Sequence, residues 1–158
     1  MIKIIYATIE DYDDFLDVFK EIEEYHRVNA SWKFQKPKPE LFPRDYFHKV
    51  IEDENGIFFL AKDNTKIVGY LTAFEEKSPD RSMLKLRKYI QIDDLSVRSD
   101  YRKKGIGTLL MDKLEELAKK NKIYEVELNV WCFNKGAIKF YENKGYESFT
   151  QKMRKVLK

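Results

Sequence analysis

With 158 residues, 43% of them apolar and 36% charged, the chain is long enough to build one ordinary domain around a real core, spanning residues 1–158. A net charge of +3 is too small to argue for nucleic acid or an anionic membrane, and no apolar run approaches the roughly 20 residues of a membrane span. Cys132 is the only cysteine, which excludes an intramolecular disulfide; with no signal-peptide pattern at the N-terminus, the cytoplasm is the expected location.

In chain order, Ile2 to Ala7 reads as a short apolar strand. Thr8 with Asp11 three residues on is a capping-box signature. It opens a helix on which Tyr12, Phe15, Leu16, Phe19, Ile22 and His26 recur at helical spacing. The opposite face is acidic, with Glu10, Asp11, Asp13, Asp14, Asp17, Glu21, Glu23 and Glu24 opposed only by Lys20. A solvated surface accounts for such a run; attraction of a cationic ligand is the sharper reading. Residues 29–44 carry Pro37, Pro39 and Pro43 together with Trp32, Phe34 and Phe42, and are expected to form an ordered lid or loop with buried aromatics. A helix from about Pro43 to Asp53 follows, carrying His48. Two isolated histidines, His26 and His48, without clustered cysteines or carboxylates give no metal site.

Glu54-Asn55-Gly56 is a turn, and Ile57 to Lys62 and Lys66 to Phe74 are two strands of a hairpin joined by Asp63-Asn64-Thr65. A polar loop, Glu75 to Arg87, leads to a central strand. Ile90 and Ile92 alternate with polar residues, and so do Leu95 and Val97, but one residue out of phase. A single extra residue at Asp93-Asp94, a β-bulge, puts all four apolar side chains on one face. Arg102, Lys103 and Lys104 then precede Gly105 and Gly107, and a helix follows with Ile106, Leu110, Leu114 and Leu117 on one stripe, ending at Asn121. Exposed amides, the positive end of the helix dipole and three cations make an anion site, and glycines let anionic oxygens approach the backbone. The lysine and hydroxyl of a P-loop are missing, and Leu110 stands where a dinucleotide fingerprint has its third glycine.

Val126, Leu128 and Val130 alternate in a fifth strand. Asn134 caps a helix containing Ala137, Ile138, Phe140 and Tyr141, with Gly145 at the position just past its C-terminal cap. A lysine-rich edge strand from Ser148 to Leu157, with Phe149, Met153 and Leu157 on one face, is expected to close the chain. The order β-α-α-β-β-β-α-β-α-β is an α+β fold, helices packed on a mixed sheet with a bulged central strand.

Two stretches carry a family resemblance. Arg102-x-x-Gly105-x-Gly107 after a strand, and Asn134-x-x-Ala137-x-x-Phe140-Tyr141-x-x-x-Gly145-Tyr146 about 30 residues on, together resemble the GCN5-related N-acetyltransferases (GNAT). The likeness covers residues 57–146 well and the first 50 by element order. It implies a mostly antiparallel sheet, acetyl-CoA as donor, and transfer of an acetyl group to a primary amine of a small molecule or peptide. An acyl-CoA-binding sensor without turnover is the alternative, and a homodimer is the oligomer that analogy suggests.

Residue by residue, the resemblance implies that the backbone around Leu95, Ser96 and Val97 pairs with pantetheine as an added strand. Arg102, Lys103, Lys104, Gly105, Ile106, Gly107 and Thr108 would cradle the pyrophosphate. Asn134 and Tyr141 would lie along the cofactor arm, with Tyr141 as general acid for the leaving thiolate and the amide near Leu95 as oxyanion donor. Asp93 aligns with a carboxylate used as base in some members, commonly a glutamate, and Asp94 is its neighbour; both are candidate bases. Aligning amine and thioester is worth on the order of 7–11 kcal/mol, so no covalent intermediate is needed and Cys132 is expected to be a small buried residue. A lysine-like amine costs about 4–5 kcal/mol to deprotonate at pH 7, so such an acceptor needs a good base.

Overall fold

A computed structural model describes residues 1–38 and 40–157; Pro39, part of the expected lid, and Lys158 lie outside the described residues. The chain forms two compact units, Met1–Leu128 and Asn129–Lys158. No helix is long and apolar enough to cross a membrane among the described residues.

The first unit contains β1 (Ile2–Tyr6), α1 (Tyr12–Asn29), α2 (Arg44–Glu52), β2 (Gly56–Asp63), β3 (Lys66–Lys77), β4 (Lys88–Val97), α3 (Ile106–Lys120) and β5 (Val126–Leu128). The five strands lie side by side in sequence order. The first three pairings are antiparallel, and β4 with β5 is parallel. This is the expected mixed, mostly antiparallel sheet with flanking helices.

One face of the sheet and the helices α1 and α2 enclose an aromatic core. Phe15, Phe47, Phe58 and Tyr70 are buried in it, and Phe19, Phe42 and Phe74 pack against it. The Phe15 ring stands edge-on to Phe42, Phe58 and Tyr70 at 5.2, 5.3 and 4.9 Å between centroids. Such edge-to-face pairs add to area burial because ring edges and faces carry opposite partial charge. On the other face, a Cβ at Gly69 would stand 2.9 Å from the Ser96 carbonyl oxygen and 3.4 Å from Ile106. A glycine is therefore required where α3 comes down on β3. The buried stripe of α3 is Ile106, Leu110, Met111, Leu114 and Ala118, with Met111 and Ala118 taking the place expected of Leu117.

The capping box forms at Thr8 and Asp11, but it opens a short 3-10 turn, Ile9–Asp11, from which α1 continues. The Asp11 carboxylate accepts from the Thr8 amide at 2.9 Å, the Thr8 hydroxyl at 3.1 Å and Lys62 Nζ at 2.5 Å. Burial pushes its pKa up, yet the bonds from Lys62 and Thr8 outweigh burial and hold it below the ordinary carboxylate value. The acidic face of α1 is not solvated throughout. Glu21 accepts from the Ser99 amide at 2.8 Å and lies 3.9 Å from Arg98, tying α1 to the loop after β4.

Other expectations are corrected. β3 runs on to Lys77 because Glu75, Glu76 and Lys77 pair with Ile90, Tyr89 and Lys88. β5 stops at Leu128, short of Val130. Trp32 is 57% exposed, so only part of the aromatic content of residues 29–44 is buried. In the second unit, residues 146–157 form no strand, and Phe149, Met153 and Leu157 are exposed. Alternation defines two faces, but a strand also needs a hydrogen-bonded neighbour.

Asp11→Ala is expected to lower Tm by roughly 5–10 °C at pH 7, the loss of about 2–3 kcal/mol from charge-assisted bonds. Because the folded-state pKa is depressed, the contribution is present above the ordinary Asp value and fades as pH falls through the folded one. Thermal melts at pH 7 and pH 3 should show the wild-type advantage shrinking at the lower pH.

Candidate active site

The site is built on an irregularity in β4. Thr72 pairs with Asp94 and Ala73 with Ile92, so Asp93 has no partner on β3 and is the bulged residue, where the sequence phase predicts it. Opposed residues share a face. Ile90, Ile92, Leu95 and Val97 thus fall on the face of Leu71 and Ala73, while Asp94 and Ser96 fall with Tyr70 and Thr72 on the face beneath α1 and α2. Were Asp93 to take a regular place in the ladder, Asp94 would fall on the face of Ile92.

On that face the Tyr70 hydroxyl donates a short hydrogen bond to Asp94 Oδ2. Burial pushes the Asp94 carboxyl up to about 6; the bond from Tyr70 and the neighbouring Leu95 amide work against this, and the charge of Asp93 adds to it. Burial and the adjacent Asp94 charge raise the Tyr70 phenol well above its ordinary value, so it stays a neutral donor. Asp93 is also raised, by burial and then by the charge of Glu76.

The two carboxylates line a pocket of about 210 Å³. Phe15, Phe42, Tyr46, Tyr70 and Phe74 form its aromatic walls, with Val50 and Thr72 between them. The Tyr12 hydroxyl donates to the Phe42 carbonyl, fastening the segment that brings Phe42 here. A larger groove of about 420 Å³ runs along α2 past Asp45, His48, Lys49, Glu52 and Asp53. It has no apolar wall, and the convergence of aromatic and acidic groups is at the smaller pocket. His48 Nε2 is buried without a hydrogen-bond partner among the described residues. His26 stacks on Phe34 at 5.5 Å and 18°, and burial lowers its pKa.

The β4–β5 ladder ends at Ile92 with Leu128, so Asp93 to Val97 have no ladder partner on that edge among the described residues. Beyond Val97 the chain makes a 3-10 turn, Ser99–Tyr101, and Arg102 Nε donates to the Val97 carbonyl at 3.0 Å. Lys103 (φ 59°) and Gly105 (φ 79°) are both left-handed. Gly105 is the N-cap of α3 and offers no side chain to the first-turn amides of Ile106, Gly107 and Thr108. A Cβ built on Gly105 would meet nothing within 4 Å, so the space over this turn is open. Lys104 lies 4.8 Å from the Tyr101 ring centroid. The open turn and its three cations fit a diphosphate.

In the second unit, α4 (Lys135–Asn143) begins at Asn134, whose Oδ1 accepts from the Ala137 amide at 3.1 Å. That bond leaves the Asn134 amide NH₂ outside the cap. Gly145 (φ 86°) closes the helix as expected, with Gly145 N–H to Glu142 at 2.9 Å and Tyr146 N–H to Tyr141 at 3.0 Å, a Schellman motif. The Tyr141 ring meets Tyr146 edge-on at 5.8 Å. Cys132 is exposed, not buried as a small core residue would be. It sits in the turn between Trp131 and Asn134, whose amide bonds back to the Trp131 carbonyl at 2.8 Å. Tyr70, Tyr46 and Thr72 were not legible as site residues: within the apolar run of β3, a tyrosine reads as core.

Comparison with known proteins agrees with this architecture. The model of the acetyltransferase (GNAT) family matches residues 17–146, and the chain belongs to that family. It is 32% identical over 145 residues, 89% of its length, to the "Uncharacterized N-acetyltransferase MJ1207" of Methanocaldococcus jannaschii, and covers 58% of that protein. Streptothricin acetyltransferase A of Bacillus subtilis is 30% identical over 117 residues, 72% of this chain and 64% of that one. The chain thus spans about three fifths of the length of these relatives. The crystal structure of a tetramutant of the BH1408 protein from Bacillus halodurans superposes with a TM-score of 0.93 at 26% identity, covering 98% of this chain and 99% of that one.

A buried carboxyl with a raised pKa lends stability below the ordinary Asp value and loses it as pH rises to about 6. Asp94→Asn is therefore expected to raise Tm at pH 8, by up to about 3 kcal/mol of stability, and to change it little at pH 4. Melts at the two pH values check this; an equal effect at both would show that Asp94 is not held out of its charged state.

Proposed function

We propose that the protein transfers the acetyl group of acetyl-CoA directly to a primary amine. The observation that carries this reading is the Asp94 carboxyl, bonded by Tyr70 and pushed up to about 6, at the end of a pocket on the strand that leads into the glycine turn. Family membership supports the donor, and the open first turn of α3 supports where its diphosphate lies.

When bound, acetyl-CoA supplies an acetyl thioester whose carbonyl carbon accepts the amine and whose sulfur departs. The amides of Ile106, Gly107 and Thr108, with Arg102, Lys103 and Lys104, hold the diphosphate, and the unladdered edge of Leu95, Ser96 and Val97 takes the pantetheine as a further strand. Asp94 removes a proton from the incoming ammonium, and Asp93 attracts that cation to the bulge. Raising the carboxyl from its ordinary value to about 6 brings base and amine closer by about 3 kcal/mol while leaving most of it ionised at pH 7. Asn134 orients the cofactor arm through its amide NH₂. Tyr141 would give a proton to the departing sulfur, and the second proton lost by the nitrogen after attack would return through solvent to the phenolate.

The reading is tested by thiol release from acetyl-CoA across a panel of amines. Wild type should show a rate that rises with pH through about 6, and Asp94→Asn should lower kcat about 10²-fold and abolish that limb. Binding of acetyl-CoA without thiol release for any amine would leave a sensor in place of an enzyme.

Two variants separate holding from chemistry. Gly105→Val, which forces a β-branched residue to a positive φ and covers the turn, should weaken acetyl-CoA binding roughly tenfold or more. Tyr141→Phe should lower kcat about 10²-fold with a much smaller change in acetyl-CoA affinity. Calorimetry with acetyl-CoA and steady-state kinetics check the pair; unchanged turnover in Tyr141→Phe across pH 6–9 removes the phenol from the mechanism.

A further inference from the structure

We infer that the pocket beside the β4 bulge selects a compact monoamine with an apolar or aromatic body, and disfavours polycationic amines; this rests on the reading of the pocket as the acceptor site. Three observations carry it. The pocket holds about 210 Å³, below the usual range for drug-sized sites, and this fits one ring and a short amine arm rather than a long chain or several sugars. Its lining contains Asp93 and Asp94 and no lysine or arginine, so one cation is favoured at one end. Apart from Thr72 the rest of the lining is aromatic or aliphatic.

The geometry of the walls makes the selection specific. Phe42 stands edge-on to Phe15 at 5.2 Å and to Phe19 at 4.7 Å, and its carbonyl is held by the Tyr12 hydroxyl. Tyr46 lies 5.4 Å from Phe42, is 45% exposed and feels the charge of Asp93, so it forms a rim between solvent and carboxylates. An ammonium that reaches the bulge must lay its carbon body against these rings. A ring there gains apolar burial and ring contacts, while a second ammonium on a long arm, away from the end where Asp93 and Asp94 lie together, would be desolvated against phenylalanine. The acidic outer face of α1 attracts cations at long range in proportion to their charge, so the selection against polycations comes from the pocket walls.

The test compares phenethylamine with spermidine as acceptors in the full-length protein, by thiol release from acetyl-CoA. Phenethylamine should have the higher kcat/KM by roughly tenfold or more. Tyr46→Ala, at an exposed rim position that the fold tolerates, should raise KM for phenethylamine about fivefold, with a smaller effect on kcat. Equal or better kcat/KM for spermidine, or an unmoved phenethylamine KM in Tyr46→Ala, overturns the inference and leaves the acetyltransferase reading intact. If no amine releases thiol, that reading fails instead, and calorimetric titration of phenethylamine still decides the pocket. Binding weakened by Tyr46→Ala sustains the inference, and absence of binding overturns it.

Discussion

One unpaired residue in one strand sets the layout of the aromatic pocket. Asp93 is inserted into β4 opposite nothing on β3, and the strand changes phase at that point. Before the bulge and after it, the apolar residues of β4 face α3. Between the two runs the chain presents Asp94 to the opposite face, against Tyr70 and under the aromatic residues of α1, α2 and the segment between them. In this sequence, regular alternation carried on from Ile92 would put Asp94 on the α3 face and turn Leu95 and Val97 toward the pocket. The bulge thus lets a single strand complete an apolar layer on one side and deliver a carboxyl into an aromatic pocket on the other.

The pocket is costly to the fold and depends on rigid surroundings. A carboxyl buried among rings resists ionisation, and the Tyr70 hydroxyl and Leu95 amide return only part of what burial removes. The opposite arrangement occurs at the other end of the same helical layer. There Asp11 has a lysine and two donors from Thr8, its pKa is depressed, and it stabilises the start of α1. Two buried aspartates in one unit therefore act in opposite senses: Asp11 with enough partners is structural, and Asp94 with too few is chemically available.

The loop from β4 to α3 is held by its neighbours and not by caps of its own. Glu21 receives the Ser99 amide and attracts Arg98, Arg102 returns to the Val97 carbonyl, and left-handed residues at Lys103 and Gly105 turn the chain into α3. The first amides of the helix then face open space. A helix start normally finds a side-chain acceptor, and here a glycine cap supplies none.

The sequence by itself determined whatever local chemistry dictates. It fixed the capping box at Thr8 and Asp11, the glycine turn before α3, the Asn134 cap and Gly145 stop of α4, and the bulge, because phase, capping and positive φ are properties of adjacent residues. Family membership was equally visible in two short motifs. The identity of the partner of Asp94 was not, since Tyr70 lies 24 positions earlier in an apolar run and only strand register brings phenol and carboxyl together. The same holds for Tyr46 and Phe42 at the pocket, for the engagement of Glu21 with Ser99, and for the extension of β3 to Lys77. The expected strand from Ser148 to Leu157 failed for the complementary reason: alternation is written in one segment, but a strand is a relation between two. Only tertiary structure decides which distant groups meet, how much water they lose on meeting, and hence that both adjacent aspartates have their pKa raised, Asp94 to about 6.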